Sequence, residues 1–293
     1  MKLSSSRVIT FLILFTCNHY AETSNADVKF RTLQDYLIVV SVQIAASYPC
    51  SDNDSNTLEF ILDTGSNTSI ITPETALRLR LQAVDRMELM TANGSVVSHR
   101  SYIPHVQVGT KAVSGLEVLV DELSELRRLD KRIAGILGQN FLSRFNYLLD
   151  YRNQRLQFVD DVQASFHGTR LAVELEENCM IVRSEPQSNK NKSLRLVLDS
   201  AASNLILFGS KQELALECIG DSSWAIATNT GRQRTETGVL RQLRLANETL
   251  GHLPVAFLTT SVRQSADGLL PSSLFRAVFF NNQEGYVVLN PRY

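Results

Sequence analysis

Two aspartates occur in similar apolar surroundings at distant points of the chain. Asp63 lies in the segment FILDTGSNTSIIT, and Asp199 lies in the segment LVLDSAASNLIL. An isolated carboxylate among apolar residues costs about several kcal/mol unless hydrogen bonds or a second carboxyl group relieve it. If Asp63 and Asp199 met, they would share a proton, because two neighbouring carboxyl groups cannot both ionise cheaply. One could then activate a water molecule as a general base while the protonated one polarises a carbonyl as a general acid.

The residues after each aspartate are suited to support such a pair. Thr64 and Ser200 supply hydroxyls that can form hydrogen bonds across a junction between the two segments. Gly65 allows close approach of the backbone and offers its N–H to a carboxylate. Ala201 stands at the corresponding place and still has an N–H, which fits if its φ is negative.

One difference between the segments predicts which aspartate holds the proton. Ser66 can donate its hydroxyl to the Asp63 carboxylate, whereas the corresponding Ala202 has no side-chain donor. A hydrogen bond to the charged form lowers the pKa of a carboxyl group. We therefore expect Asp199 to be the more easily protonated member and Asp63 to carry the charge.

The two segments belong to a longer internal repeat. Thr57–Ile71 (TLEFILDTGSNTSII) aligns with Ser193–Leu207 (SLRLVLDSAASNLIL) at a separation of 136 residues. Three more pairs follow in the same order at separations of 133 to 137 residues: TANGSVV with TNTGRQR, HVQVGTKAVSGLEVLV with QLRLANETLGHLPVAF, and GILGQNFLSRFNYLLD with GLLPSSLFRAVFFNNQ. Such a repeat predicts two similar structural units.

Apolar runs and turn signals predict that these units consist of strands. Most runs are nearly continuous in apolar residues, and Asn93-Gly94 is typical of a type I′ hairpin turn. Only two segments show helical spacing: Pro73–Val84, with Leu77, Leu81 and Val84 on one face, and Glu122–Ile133, with Leu123, Leu126 and Leu129. The sequence therefore predicts an all-β fold of two similar β-barrel lobes with few short helices.

The domain boundaries follow from the repeat and from the start of the chain. Residues 1–26 have a positive start, an apolar core too short to span a bilayer and a small-residue cleavage site at Ser24–Ala26, which predicts a signal peptide. The first lobe is expected over 27–161 and the second over 162–293. We expect an exported protein, periplasmic or extracellular, with no stable membrane span after removal of the signal peptide.

Composition and cysteine spacing exclude several functions. The formal net charge is −1 over 293 residues, so no basic surface for nucleic acid or anionic membranes is predicted. No C-x-x-C pair occurs, and the histidines show no metal spacing, so no metal is expected. After signal removal Cys50, Cys179 and Cys218 remain, and one disulfide between Cys179 and Cys218 is possible. Nucleotide-binding and serine-hydrolase motifs are also lacking, and no cofactor is predicted.

The motif ILDTGSNTSII followed by GILGQNFL resembles the retropepsin-like aspartic proteases, and the duplication resembles the two-lobed pepsin-like form. This resemblance covers nearly all of the chain after residue 26. It implies two acid-protease lobes with the active site at their junction, and hydrolysis of peptide or protein substrates by an Asp63/Asp199 dyad. It also implies that the hairpin at Asn93 and Gly94 is a flap over the substrate, and that Gly135–Gly138 threads behind the D-T-G turn.

The second lobe departs from the family pattern. Ala201 and Ala202 replace a glycine and a serine, and the segment GLLP, which ends at Pro271, replaces GILG. Three interpretations therefore stay open: a monomeric two-lobed endopeptidase, a protease active only as a dimer through Asp63, and a peptide-binding protein that has lost the chemistry.

Overall fold

A computed structural model describes residues 27–45, 55–91, 94–159, 166–187, 193–209, 214–227, 231–258 and 265–292. The predicted signal peptide, Cys50 and Asn93 lie outside these ranges.

The first part of the described chain consists mainly of strands, with short helices between some of them. Its elements are β1 (Val28–Lys29), β2 (Arg31–Leu33), β3 (Leu37–Ala45), β4 (Ser55–Leu62), β5 (Ser69–Ile71), α1 (Pro73–Arg78), β6 (Asp85–Thr91), β7 (Gly94–Val108), β8 (Lys111–Val120), α2 (Ser124–Leu129), β9 (Ile133–Leu137), α3 (Gln139–Leu142), β10 (Tyr147–Asp150) and β11 (Arg155–Phe158).

The second part consists of strands and one 3₁₀ turn at Ser272–Leu274. Its strands are β12 (His167–Ala172), β13 (Glu174–Glu176), β14 (Cys179–Pro186), β15 (Leu194–Asp199), β16 (Leu205–Phe208), β17 (Leu216–Ala227), β18 (Gly231–Leu245), β19 (Glu248–Leu258), β20 (Gly268–Pro271), β21 (Ala277–Asn281) and β22 (Tyr286–Arg292).

Each lobe is a closed six-stranded barrel with the same strand order. The first barrel runs β3-β4-β9-β5-β8-β7 and closes through pairing of β7 with β3. The second runs β14-β15-β20-β16-β19-β18 and closes through pairing of β18 with β14. One further strand extends each barrel at either end, β2 and β6 in the first and β13 and β17 in the second. The predicted all-β fold of two similar barrels is confirmed.

A third sheet joins the lobes. Its order is β1-β11-β10-β21-β22-β12, so three strands from each half meet at the antiparallel pair β10 and β21. Tyr147 lies opposite Phe280 in this pair, and their rings stack with centroids 4.7 Å apart. Both side chains are fully buried, so the junction of the lobes is part of the apolar core.

The strand β9 lies behind the D-T-G turn, where the sequence placed it. It pairs in parallel with β4 and antiparallel with β5, and all five of its residues are buried, which explains its apolar sequence IAGIL. A Cβ on Gly135 would lie 2.5 Å from the carbonyl oxygen of Ile70. The corresponding Gly268 of β20 is tighter, because a Cβ there would lie 2.0 Å from the carbonyl oxygen of Ile206.

The first predicted helix is shorter than its apolar spacing indicated. Helix α1 ends at Arg78, and Arg80 has a positive φ of 53°, which ends helical geometry. Leu77 is 79% exposed and Val84 is 58% exposed, so the predicted apolar face containing Leu77, Leu81 and Val84 is wrong. Leu81 alone of the three packs against the core, and it does so from outside the helix.

The second predicted helix is also cut short. Helix α2 spans only Ser124–Leu129, because Asp130 is extended and Ile133 begins β9. Leu123 and Leu126 are buried as expected, whereas Leu129 is 38% exposed.

The disulfide considered between Cys179 and Cys218 is not formed. Both thiols are free: Cys179 is buried at the start of β14, and Cys218 is exposed on the outer strand β17. Within the described residues, no helix combines the length and the apolar character needed to cross a membrane.

Candidate active site

The barrels meet at their two aspartates. Asp63 directly follows β4, and Asp199 is the last residue of β15, the corresponding strand of the second barrel. The two residues are only 7% and 5% exposed, and each carboxyl group lies near enough to the other to shift its pKa. The structure therefore brings together two carboxyl groups that are 136 positions apart in the chain.

Backbone amides hold both carboxyl groups in the same way. The N–H of Gly65 donates to Asp63 Oδ1 at 2.9 Å, and the N–H of Ala201 donates to Asp199 Oδ1 at 2.7 Å. The next N–H in each loop also donates to its aspartate. The change from glycine to alanine in the second lobe thus leaves this pair of donors in place.

Glycine is required at only one of the two positions. A Cβ on Gly65 would lie 2.6 Å from Asp199 Cγ and 2.7 Å from its Oδ2, too close for any real side chain. The close approach of the first loop to the second carboxyl group therefore depends on Gly65.

Two hydroxyl groups connect the lobes beneath the aspartates. Thr64 Oγ1 donates to the carbonyl of Leu198 at 2.7 Å and accepts from the N–H of Ser200 at 2.9 Å. Ser200 Oγ donates to the carbonyl of Leu62 at 2.8 Å and accepts from the N–H of Thr64 at 3.0 Å. The arrangement is reciprocal and both side chains are fully buried, so it fixes one loop relative to the other.

Burial and proximity shift both carboxyl groups toward the protonated form. Burial raises the pKa of Asp63, and the amides of Gly65 and Ser66 partly offset this. Burial also raises the pKa of Asp199, and the adjacent negative charge of Asp63 raises it further, to well above its usual range. Both shifts favour a pair of carboxyl groups that retains one proton between them.

The predicted role of the Ser66 hydroxyl is wrong. Ser66 Oγ donates to the carbonyl of Thr68 at 2.8 Å, and it is the backbone N–H of Ser66 that reaches Asp63. Ala202 offers the same N–H to Asp199. The difference between the Ser66 and Ala202 side chains therefore does not set the order of protonation, and that order stays a prediction.

Two contacts beside the dyad were missed by sequence reasoning. Tyr36, in the turn before β3, lies beside Ser203 in the loop after Asp199. Burial raises the pKa of the Tyr36 phenol, and Ser203 partly offsets this. In the mirrored place, Asn67 Nδ2 donates to Glu177 Oε2 at 2.7 Å from the loop after Asp63 to the turn before β14. Extending the repeat upstream to the turns before β3 and β14 would have pointed to both.

The predicted flap lies at the end of a hairpin. Strands β6 and β7 pair up to Thr91 and Gly94, and β17 and β18 form the corresponding hairpin of the second lobe, up to Ala227 and Gly231. Gly94 already belongs to β7 and pairs with Thr91, whereas a turn centred on Asn93-Gly94 would start that strand one position later, at Ser95. The flap role of Asn93 and Gly94 stays a prediction.

Comparison with known protein families supports this architecture. Residues 48–141 match the family described as aspartyl protease, a range that contains the D-T-G loop, β9 and most of α3. No curated protein matches the chain in sequence. The first lobe is therefore similar to the aspartyl protease family over this range, and the second lobe repeats its barrel. The resemblance to retropepsin-like proteases in a duplicated, two-lobed form is thereby confirmed.

Proposed function

We propose that this protein is an aspartic endopeptidase that uses Asp63 and Asp199 as a single-chain dyad. The observation that carries the proposal is the meeting of two buried carboxyl groups at the lobe junction, each held by a matching amide, above loops that the Thr64 and Ser200 hydroxyls connect. Burial supplies the raised pKa that allows one carboxyl group to remain an acid where the other is ionised.

The dyad can perform both proton transfers of peptide hydrolysis. The Asp63 carboxylate takes a proton from a water molecule, whose oxygen attacks the peptide carbonyl carbon, while Asp199 gives its proton to the carbonyl oxygen. The resulting tetrahedral diol collapses when Asp63 gives its proton to the leaving nitrogen and Asp199 takes one back from a hydroxyl. The C–N bond then breaks, and both carboxyl groups return to their starting states.

Substitution of each aspartate tests the proposal. Asp63→Asn and Asp199→Asn should each abolish cleavage of a mixed peptide library, while circular dichroism and thermal unfolding show intact folding. The double variant should be no worse than either single variant, because the two groups act as one unit. Asp150→Asn, which changes a turn aspartate on the sheet joining the lobes, is the matched control and should retain activity.

The same variants separate the proposal from its alternatives. If Asp199→Asn retains near wild-type activity while Asp63→Asn is inactive, the protease works as a dimer through Asp63. If the wild-type protein binds peptides but cleaves none between pH 3 and pH 8, it is a peptide-binding protein.

We also propose that the active form is an exported monomer. The second barrel supplies within one chain the partner loop that a one-lobed relative must find in another. Activity per molecule should therefore be constant on dilution, and a steep fall would contradict this. Secretion of a fusion carrying residues 1–26, with cleavage after Ala26, would test the export signal.

A further inference from the structure

Two carbonyl groups behind Asp63 accept hydrogen bonds from side chains. Gln139 is fully buried at the start of α3, and its Nε2 donates to the carbonyl of Thr64 at 2.9 Å. The Cys179 thiol lies 3.6 Å from the carbonyl of Gly65 and donates to it. These carbonyls belong to the two peptide groups whose N–H groups, those of Gly65 and Ser66, hold the Asp63 carboxylate.

Each contact forms a chain of hydrogen bonds that ends at Asp63. A donor on a peptide carbonyl polarises the peptide group and strengthens the hydrogen bond made by its N–H, by roughly 10–30% per bond. The chain from Gln139 runs through the Thr64–Gly65 peptide, and the chain from Cys179 runs through the Gly65–Ser66 peptide. Both stabilise the charged form of Asp63, because the amides donate to it.

The second lobe has no such support in the described residues. The counterpart of Gln139 is Ser272, whose hydroxyl pairs with the Tyr151 hydroxyl at 2.5 Å. The counterpart of Cys179 is Leu37, which has no donor. Among the side chains that the structure describes, none donates to the carbonyls of Ser200 or Ala201.

We infer that Gln139, assisted by Cys179, is a positioning residue that makes Asp63 the charged member of the dyad and leaves the proton on Asp199. The inference rests on the proposed function, since it assigns the general base and the general acid within that dyad. On this inference, the difference between the two carboxyl groups arises from side chains behind the loop that follows Asp63. It does not arise from the difference between Ser66 and Ala202.

Charge on the other titratable groups near the dyad does not supply this bias. Tyr36 and Tyr151 lie near Asp199, and the Cys179 thiol lies near both aspartates. Burial raises the pKa of both phenols, and it raises the pKa of the Cys179 thiol to about 12, so all three are neutral. Glu177 faces Cys179 from the adjacent turn, and its negative charge disfavours a thiolate. None of these described groups is a cation that could stabilise a charge on Asp63.

Gln139→Met tests the inference, because methionine keeps the length of the side chain and removes the donor. The acid limb of the pH profile of kcat/KM should move upward by about half a pH unit, since the first ionisation belongs mainly to Asp63. Carbon-13 NMR titration of labelled aspartate carboxyl groups should show the same shift. Ser272→Ala, at the matching place in the second lobe, should leave the acid limb where it is.

Cys179 provides a second test if Gln139→Met does not fold. Cys179→Ala should raise the acid limb, and Cys179→Ser, which keeps a donor, should return it toward the wild-type position. A uniform loss of kcat with an unmoved acid limb and unmoved carboxyl titrations would show that Gln139 is only structural and would overturn the inference.

The NMR titration separates this inference from the proposed function. If the wild-type protein cleaves no peptide, the proposed function fails, but the carboxyl titrations still report whether Gln139 sets the charge on Asp63. If the protein cleaves peptides and Gln139→Met changes neither titration nor acid limb, the inference alone fails.

Discussion

The loops that follow Asp63 and Asp199 hold their carboxyl groups with the same backbone atoms but rest on different side chains. In the first lobe, the N–H of Gly138 donates to the buried Ser69 hydroxyl at 3.0 Å. In the second lobe, Pro271 and Leu205 occupy these positions, so the donor and the acceptor are both gone. Replacing both partners of a hydrogen bond by apolar groups costs little, whereas removing one is expensive. The loss of the N–H at Pro271 is therefore compensated by the loss of its acceptor at Leu205.

A second difference concerns charge. In the first lobe Arg31 on β2 pairs with Glu59 on β4, with Nη2 and Oε2 2.6 Å apart. The register of the strands places Glu174 and Arg195 at the corresponding positions of the second lobe, where Nε and Oε2 are 2.9 Å apart. The pair is retained with its charges exchanged. The repeat thus preserves interactions and not residue types, which explains why the two halves look so different in sequence.

The largest effect is expected from the two glycines that pack behind the loops. Gly268→Ala should destabilise the protein by roughly 3 kcal/mol or more, because the added Cβ meets a backbone carbonyl that cannot move independently. Gly135→Ala should cost less, because its Cβ would lie 2.5 Å from the nearest backbone carbonyl oxygen, that of Ile70, and not as close as the Cβ at Gly268 lies to that of Ile206. Urea unfolding measures the loss of stability in both variants. Equal costs, or a larger cost for Gly135→Ala, would contradict this account of the packing.

Removal of either hydroxyl between the lobes is expected to lower the free energy of unfolding by nearly as much. Thr64→Val leaves the N–H of Ser200 and the carbonyl of Leu198 without this partner, and Ser200→Ala does the same to Thr64 and Leu62. Each variant should lose roughly 2 to 4 kcal/mol of unfolding free energy. Because the arrangement is reciprocal, the two losses should be similar, and a cost confined to one variant would show that only one lobe depends on it.

A double-mutant cycle sharpens the comparison of Leu205 and Pro271. Leu205→Ser should cost roughly 2 to 4 kcal/mol, and Pro271→Gly about 1 kcal/mol. The double variant recreates the pairing of Ser69 with Gly138, so it should be more stable than the sum of the single losses by roughly 0.5 to 1.5 kcal/mol. Additive losses in chemical denaturation would refute the idea that the two positions compensate each other.

The smallest effect on stability is expected from Asp199→Asn, because asparagine and protonated aspartate have nearly the same shape. This substitution should mainly change how stability depends on pH. The pKa of Asp199 is higher in the folded than in the unfolded protein, so the folded state binds more protons between those values. Stability should therefore fall as pH rises from about 4, the unfolded pKa, toward the folded value. Asp199→Asn should flatten this fall in thermal unfolding between pH 4 and pH 7. A slope identical to that of the wild-type protein would show that Asp199 is not a buried acid.

Part of the site could be read directly from the sequence because it depends on local geometry. A D-T-G turn between apolar strands fixes the place of Asp63 and Gly65, and the repeat finds Asp199 and Ser200. The helices were less predictable, since Arg80 and Asp130 end them in backbone conformations set by tertiary contacts. Gln139 could not be predicted as a neighbour of the site, because the Thr64 carbonyl that it contacts lies in a loop distant from it in sequence.

The sequence by itself determined the two-barrel architecture and the pair of aspartates, because strand periodicity and an internal repeat are properties of the order of residues along the chain. The tertiary structure alone decided which atoms support each carboxyl group. The Ser66 hydroxyl turns to Thr68, and the support behind Asp63 comes from Gln139 and from Cys179 of the other lobe. The physical reason is that a hydrogen bond needs a donor at the right distance and angle. The folding of the first lobe brings Gln139 to the Asp63 loop, and only the packing of the two barrels brings Cys179 there.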